Sequence, residues 1–304
     1  MNPPAPHESG AIVLAYAKIN LTLEILARRA DGFHALRSVM LPIALADELR
    51  FTPAARFGFS CDPPALAPDN LVARAFERIG LGRAPFAVSL RKHVPVGAGL
   101  GGGSSDAAAV LRAASGGAFG APGPRDWLAD ARALGSDVPF FLVDGGALVE
   151  GTGERVTALG ALPPWWIVLL VPGVHVATAD AFARLARARS LQPPPPRPRN
   201  DSASLRVLVA VQRGDYAAAI GSAMNDFEPI VRAAYPEVRA ALAALRAAGA
   251  EHAMLSGSGG ACFGLCRDES AARALAAQLE LPPDAALHVI PFAPTAAWRA
   301  PAPV

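Results

Sequence analysis

Cysteine is nearly absent, with 3 in 304 residues. So few exclude a disulfide-framed fold, and Cys262 and Cys266 lack the paired CxxC spacing of a zinc site. They read as small buried hydrophobes in a reducing compartment. Long apolar runs are missing too. The most apolar stretch, Trp165 to Val171, is far shorter than the roughly 20 residues that span a bilayer. The opening MNPPAPHESG has no basic segment ahead of an apolar one, so it does not read as a secretory signal; its prolines and polar residues suggest a frayed tail. Neither sign of charge is in excess, since Lys+Arg 28 against Asp+Glu 26 leaves +2. That balance argues against a broad nucleic-acid or acidic-membrane surface. The expectation is a cytoplasmic protein with no nucleic-acid and no membrane partner.

Core material, by contrast, is plentiful. Hydrophobic residues make up 52% of the chain and charged ones 18%, which excludes disorder throughout. At about 100–200 residues per domain the length suggests two. The segment Ala11 to Leu26 alternates in its second half, with Ile19, Leu21, Leu23 and Ile25 on one face and Lys18, Asn20, Thr22 and Glu24 on the other. A period of two predicts a half-buried strand. A turn at Asp31-Gly32 follows, then strand-like sequence from Val39 to Phe51 with an interruption at Pro42. Helices are expected over Asp69 to Gly80, Ser104 to Ala114 and around Arg125 to Leu134; strands over Phe86 to Val94, Phe140 to Val143, Trp165 to Val171, Ala261 to Cys266 and Leu287 to Pro291. Gln192 to Asn200 reads as an exposed, stiff polyproline loop. No internal repeat is visible. Two α+β domains result, residues 1–160 and 161–304.

The densest local signal is the glycine cluster. Gly97 to Gly102 formally matches GxGxxG after a strand, yet it continues Gly103-Ser104-Ser105-Asp106, and no acidic residue follows at the strand end a dinucleotide fold requires. No lysine follows the last glycine, so it is not a Walker loop either. What it offers is small residues whose backbone N–H groups can approach one anion, leading into a helix N-terminus with Ser104 and Ser105 at its cap. A plain flexible turn would carry the entropy cost of so many glycines without return. Taken by themselves, Lys18 reads equally as a solvated lysine or a site cation, Asp137 as a turn residue or a proton acceptor, and Phe33 and His34 as a hairpin tip.

Pro95-Val96-Gly97-Ala98-Gly99-Leu100-Gly101-Gly102-Gly103-Ser104-Ser105 resembles the PxxxGLGSS phosphate-binding motif of the GHMP kinases, small-molecule kinases. The additional glycine before the serines resembles the branch that acts on a cytidine diphosphate-linked methylerythritol. Matches elsewhere keep order and spacing: Ala17-Lys18-Ile19-Asn20-Leu21, Ala30-Asp31-Gly32-Phe33-His34, Leu134 to Pro139, and Ser256-Gly257-Ser258-Gly259. The resemblance implies a ribosomal S5-like N-terminal domain and a ferredoxin-like C-terminal one. It implies ATP over Pro95 to Ser105, with Mg²⁺ bridging its phosphates and Ser105 as a possible metal contact. Lys18 and Asp137 become the catalytic pair, Asp137 accepting the acceptor hydroxyl's proton. Asn20, Phe33, His34, Thr178 and Phe182 become the acceptor site, Phe33 replacing the usual tyrosine in stacking on cytosine. Gly257, Ser258 and Gly259 form a third glycine motif beside the phosphates, which Gly260 extends unexpectedly. The implied reaction phosphorylates the 2-hydroxyl of the methylerythritol, in the non-mevalonate route to isoprenoid precursors, by a monomer or homodimer. A mevalonate- or homoserine-type GHMP kinase shares the loop, and a non-catalytic nucleotide-binding protein is the alternative from another class.

Overall fold

The computed structural model describes residues 11–28, 34–83, 85–119, 124–192, 202–282 and 284–293. The expected N-terminal tail, the Asp31-Gly32 turn, Phe33 and nearly all of the polyproline segment lie outside them. The chain is α+β, built on two sheets.

The eight-stranded first sheet is organised by one long strand. Strands β1 (Ala11–Asn20), β2 (Thr22–Arg28) and β3 (His34–Pro53) replace the single strand and interrupted segment expected there. The chain bends at Leu21, whose N–H is taken by Val39 O at 2.9 Å. Pro42 does not break β3, because the register against β1 shifts beside it: Tyr16 faces Ala46 while Ala17 faces Ile43. A bulge of this kind tolerates the missing proline N–H. On β4 (Gly58–Asp62) the chain runs parallel to β5 (Phe86–Arg91), which pairs with β3, as does β6 (Gly146–Gly151) with β7 (Arg155–Gly160) beyond it.

Helices α1 (Leu71–Arg78), α2 (Gly102–Ser115) and α3 (Trp127–Leu134) cover one part of this sheet around a core of Phe51, Phe76, Val88 and the alanines of α2. Side chains explain two of their starts, since Asn70 accepts from Val72 N and Asp126 from Ala129 N. Helix α2 begins differently. Its N-cap is Gly101 at φ 72°, so Ser104 and Ser105 lie within the first helical turn rather than at the cap. The strand expected over Phe140 to Val143 is instead a 3₁₀ turn, Val138–Leu142. Pro139 explains it: its fixed φ suits a first helical turn and it has no N–H for a ladder.

The second sheet is four-stranded and antiparallel, ordered β10 (Ala253–Leu255), β11 (Cys262–Cys266), β8 (Trp166–Val171), β12 (Ala286–Pro291). Ile167 to Leu170 are fully buried because both faces of β8 are covered. Helices α4 (Thr178–Leu191), α7 (Glu228–Ala234), α8 (Pro236–Ala247) and α9 (Glu269–Ala277) supply one cover. The other is the first sheet together with α5 (Ala203–Arg213) and α6 (Tyr216–Ser222). One apolar cluster therefore runs through both sheets, from Ile19 and Leu41 to Ile167 and Phe263. The short strand β9 (Met224–Asn225) returns from the second half to pair with β2, and Ala293 N reaches Pro42 O at 2.9 Å. These cross-links fix how the two halves face each other. Among the described residues no helix is long and apolar enough to cross a membrane.

Candidate active site

A cleft of about 1360 Å³ opens where β1, the α2 N-terminus, the α3 end and α4 meet. Pro95 to Ser104 form one side of it. Gly97, Gly99 and Gly101 have φ of 70°, 83° and 72°, so every second residue is left-handed and the segment curls around its own N–H groups. Ala98 and Leu100 are buried and join the core cluster. A side chain at Gly101 would meet Phe141 Cζ at 3.0 Å and Lys18 Cε at 3.1 Å. Gly101→Val is therefore expected to weaken ADP binding by about tenfold and to lower thermal stability, because a β-branched residue at positive φ costs about 1–3 kcal/mol. A titration giving wild-type ADP affinity would remove this glycine from the cradle.

Lys18 is placed by tertiary contacts rather than by strand alternation. Both faces of β1 are covered at this point, and the lysine side chain is only 4% exposed. Its backbone N–H donates to Leu100 O at 2.9 Å, and Nζ donates to Asn20 Oδ1 at 2.6 Å and Gly99 O at 2.9 Å. Asp137 Oδ2 lies 3.5 Å from Nζ, at a position 30% exposed to the cleft. Asn20 has a protein partner at each end of its amide, since Nδ2 donates to Ser38 Oγ at 2.8 Å. It lines the cleft, yet its contacts orient Lys18.

Ser105 is the residue the structure moves furthest from its expected role. It is buried on the far side of α2, in a small cavity with Leu14 and Phe140, and only Ser104 of the pair lines the cleft. Ser105, expected as a metal contact, thus does not line the cleft, since successive helical residues point about 100° apart.

At the other end of the cleft His34 and Phe182 stack at a centroid distance of 5.9 Å and an interplanar angle of 24°. His34 Nδ1 is buried and has no hydrogen-bond partner among the described residues. Thr178 and Phe182 lie one turn apart on α4 and both line the cleft. The third glycine segment joins the two halves. Gly257 and Ser258 line the cleft, and Ser258 Oγ donates to Thr178 Oγ1 at 3.0 Å. Gly259 does not line it; a Cβ there would overlap Gly99 N and Ala98 C. Ala261 N donates to Ala98 O at 3.0 Å and Ser256 Oγ to Gly99 O at 3.2 Å, so one glycine loop is stacked backbone to backbone on the other. Gly260 packs on Val174 and disturbs none of this. Sequence reasoning missed Lys92 and Asp47, since nothing in their local patterns separates them from surface residues; Ser256 opens the Ser256 to Gly259 match but carries no expected role.

Family comparison agrees with this geometry. The family description "GHMP kinases N terminal domain" matches residues 70–145, and "GHMP kinases C terminal" matches 207–282. A 4-diphosphocytidyl-2-C-methyl-D-erythritol kinase of Moorella thermoacetica is 40% identical over 271 residues, covering 88% of this chain and 93% of that one. The chain belongs to the 4-diphosphocytidyl-2-C-methyl-D-erythritol kinases of the GHMP family. A crystal structure of a 4-(cytidine 5'-diphospho)-2C-methyl-D-erythritol kinase superposes on this kinase with a TM-score of 0.72 at 35% identity, over 92% of this chain and 99% of that one. A homoserine kinase from Cytophaga hutchinsonii reaches a TM-score of 0.64 at 18% identity, over 95% and 96% of the two chains, and shares the fold.

Proposed function

We propose that this ATP-dependent kinase transfers the γ-phosphoryl group of ATP to the 2-hydroxyl of 4-diphosphocytidyl-2-C-methyl-D-erythritol, giving the 2-phosphate and ADP. The observation that carries this reading is the Lys18–Asp137 pair, 3.5 Å apart between the glycine loop and the His34/Phe182 wall. In phosphoryl transfer positioning and charge neutralisation do most of the work, and one carboxylate takes the acceptor's proton. Asp137, a third exposed and beside the loop, takes that role. Lys18, held by Asn20 and Gly99 O, stands beside the aspartate and attracts the transferred group. The curled loop gathers N–H groups around the phosphates, with the positive end of α2 behind them. His34 reads the edge of the cytosine while Phe182 supplies an apolar face.

No cluster of three metal-ligating His, Cys, Asp or Glu side chains exists among the described residues. Ser104, the serine of the pair that lines the cleft, would hold a magnesium ion bound with the phosphates, and that ion would supply charge neutralisation there. We divide the chain at residues 160/161, where the first sheet's last long strand ends and β8 opens the second. Three free, buried cysteines fit the reducing cytoplasm.

The test is ADP release with the cytidyl acceptor, R-mevalonate and L-homoserine in parallel. Activity with the cytidyl acceptor alone is expected; equal activity with mevalonate would overturn the acceptor assignment. Cytidine diphosphate is expected to compete with the acceptor while uridine diphosphate does so far less. Phe182→Ala is expected to raise the acceptor KM about tenfold with the ATP KM unchanged, since stacking a base is worth about 1–3 kcal/mol. Equal inhibition by the two diphosphates would refute the cytosine reading and leave the kinase assignment standing.

A further inference from the structure

Beneath the glycine loop lies a charge cluster, two members of which, Lys92 and Asp106, also line the cleft. Asp47, in β3, is fully buried, and its Oδ1 accepts from His93 N at 2.5 Å and Val94 N at 2.8 Å, the two amides just before Pro95 opens the loop. Its Oδ2 accepts from Lys92 Nζ. The same ammonium donates to Asp106 Oδ2 at 2.6 Å, in the helical turn that closes the loop. Both carboxylates and the lysine are nearly inaccessible, and Asp106 Oδ1 has no partner among the described residues. Burial pushes the Asp106 carboxyl up to about 8, with Asp47 adding to the effect and Lys92 opposing it. Burial alone would lower the Lys92 ammonium, and the two carboxylates outweigh it and hold it above its usual value.

Two acidic side chains and one ammonium are costly to bury, and the raised Asp106 carboxyl shows that cost. Apolar side chains of the same volume commonly stabilise a fold as well or better. The cluster does what apolar residues could not. It ties the entrance of the loop, at residues 93 and 94, to its exit at residue 106, through a single nitrogen. Between those points Gly97, Gly99 and Gly101 give the backbone freedom to collapse. The middle is held from the opposite side, by Lys18 and Ser256 on Gly99 O. A Cβ at Gly102 would sit 3.3 Å from Asp47 Oδ2, so the cluster also touches the first residue of α2.

We propose that Asp47, Lys92 and Asp106 form a clamp that fixes both ends of the glycine loop in its nucleotide-accepting shape. Lys92 and Asp106 are thus positioning residues for ATP, not stabilisers of the fold. The proposal rests on the nucleotide lying over this loop, which ADP titration of the wild type tests by itself. Asp106→Asn keeps shape and replaces the acid that meets Lys92 with a neutral amide. In that variant ADP affinity is expected to fall about tenfold, the equivalent of one charged hydrogen bond, while affinity for cytidine diphosphate stays within about twofold. Amide exchange over residues 93–105 is expected to accelerate, with β8 and β11 unchanged. Lys92→Met is expected to act in the same direction and more strongly. A purely structural cluster would instead lower the thermal midpoint, with both affinities unchanged or reduced in equal proportion. That result, or a failure of Asp106→Asn to fold, overturns the clamp.

Discussion

Asp137→Asn is expected to lower kcat by at least about 10², the lower end of what a general base contributes, with ADP affinity within about twofold of wild type. The substitution keeps the shape of the side chain and removes its basicity. Asp137 stands just ahead of the 3₁₀ turn and its carboxylate faces the cleft, so no core contact is lost. Lys18 keeps two of its three neighbours, Asn20 Oδ1 and Gly99 O, and stays in place. The lost step is proton removal from the acceptor hydroxyl as the phosphoryl group arrives. Rapid-quench kinetics at saturating substrates, beside nucleotide titration, separates this from a binding defect. Wild-type kcat in the asparagine variant would show that Asp137 only holds the lysine.

Gly259→Ala is expected to be comparably damaging, although the residue faces no substrate. An added Cβ would overlap the backbone of Ala98 and Gly99, and neither can move aside as a flexible side chain would. The two glycine loops must separate, which breaks Ala261 N to Ala98 O and Ser256 Oγ to Gly99 O. Overpacking of this kind costs about 1–3 kcal/mol. Gly99 O is also an acceptor for Lys18 Nζ, so the shift reaches the catalytic pair. A displacement of about 1 Å at reacting groups can cost about 10² in rate. The expected outcome is a lower thermal midpoint together with a kcat/KM reduced by about that factor. Gly260→Ala is the control, since its nearest contact is Val174 O at 3.1 Å, and it is expected to be much milder. Equal, small effects from both alanines would mean that the loops do not lock.

Periodicity and motif order determined much of this protein before any coordinates. Alternation over residues 18–25 placed strand in the opening segment, and the unbroken apolar run Trp165 to Val171 placed a strand buried on both faces. Cap residues and apolar spacing placed the helices around residues 71–78 and 127–134 to within a few residues. Glycine spacing marked the loop, because few other residues reach positive φ without strain. Prolines misled in both directions: Pro42 was absorbed by a bulge, and Pro139 turned an apolar run into a 3₁₀ turn, since partner strands and local φ decide what one proline does. Only the tertiary structure decided how the polar groups meet. Lys18 and Asp137 were paired beforehand by the family resemblance alone, and the structure supplies their 3.5 Å separation; Ser104 and Ser105 are neighbours that line different cavities. Asp47, Lys92 and Asp106 look like surface charges in the sequence and lie buried together beneath the loop. Local pattern reports which face of an element is apolar, because that preference acts over a few residues. Charge pairing and backbone-to-backbone contact act between segments tens to hundreds of residues apart, and they exist only once the two sheets have closed on each other.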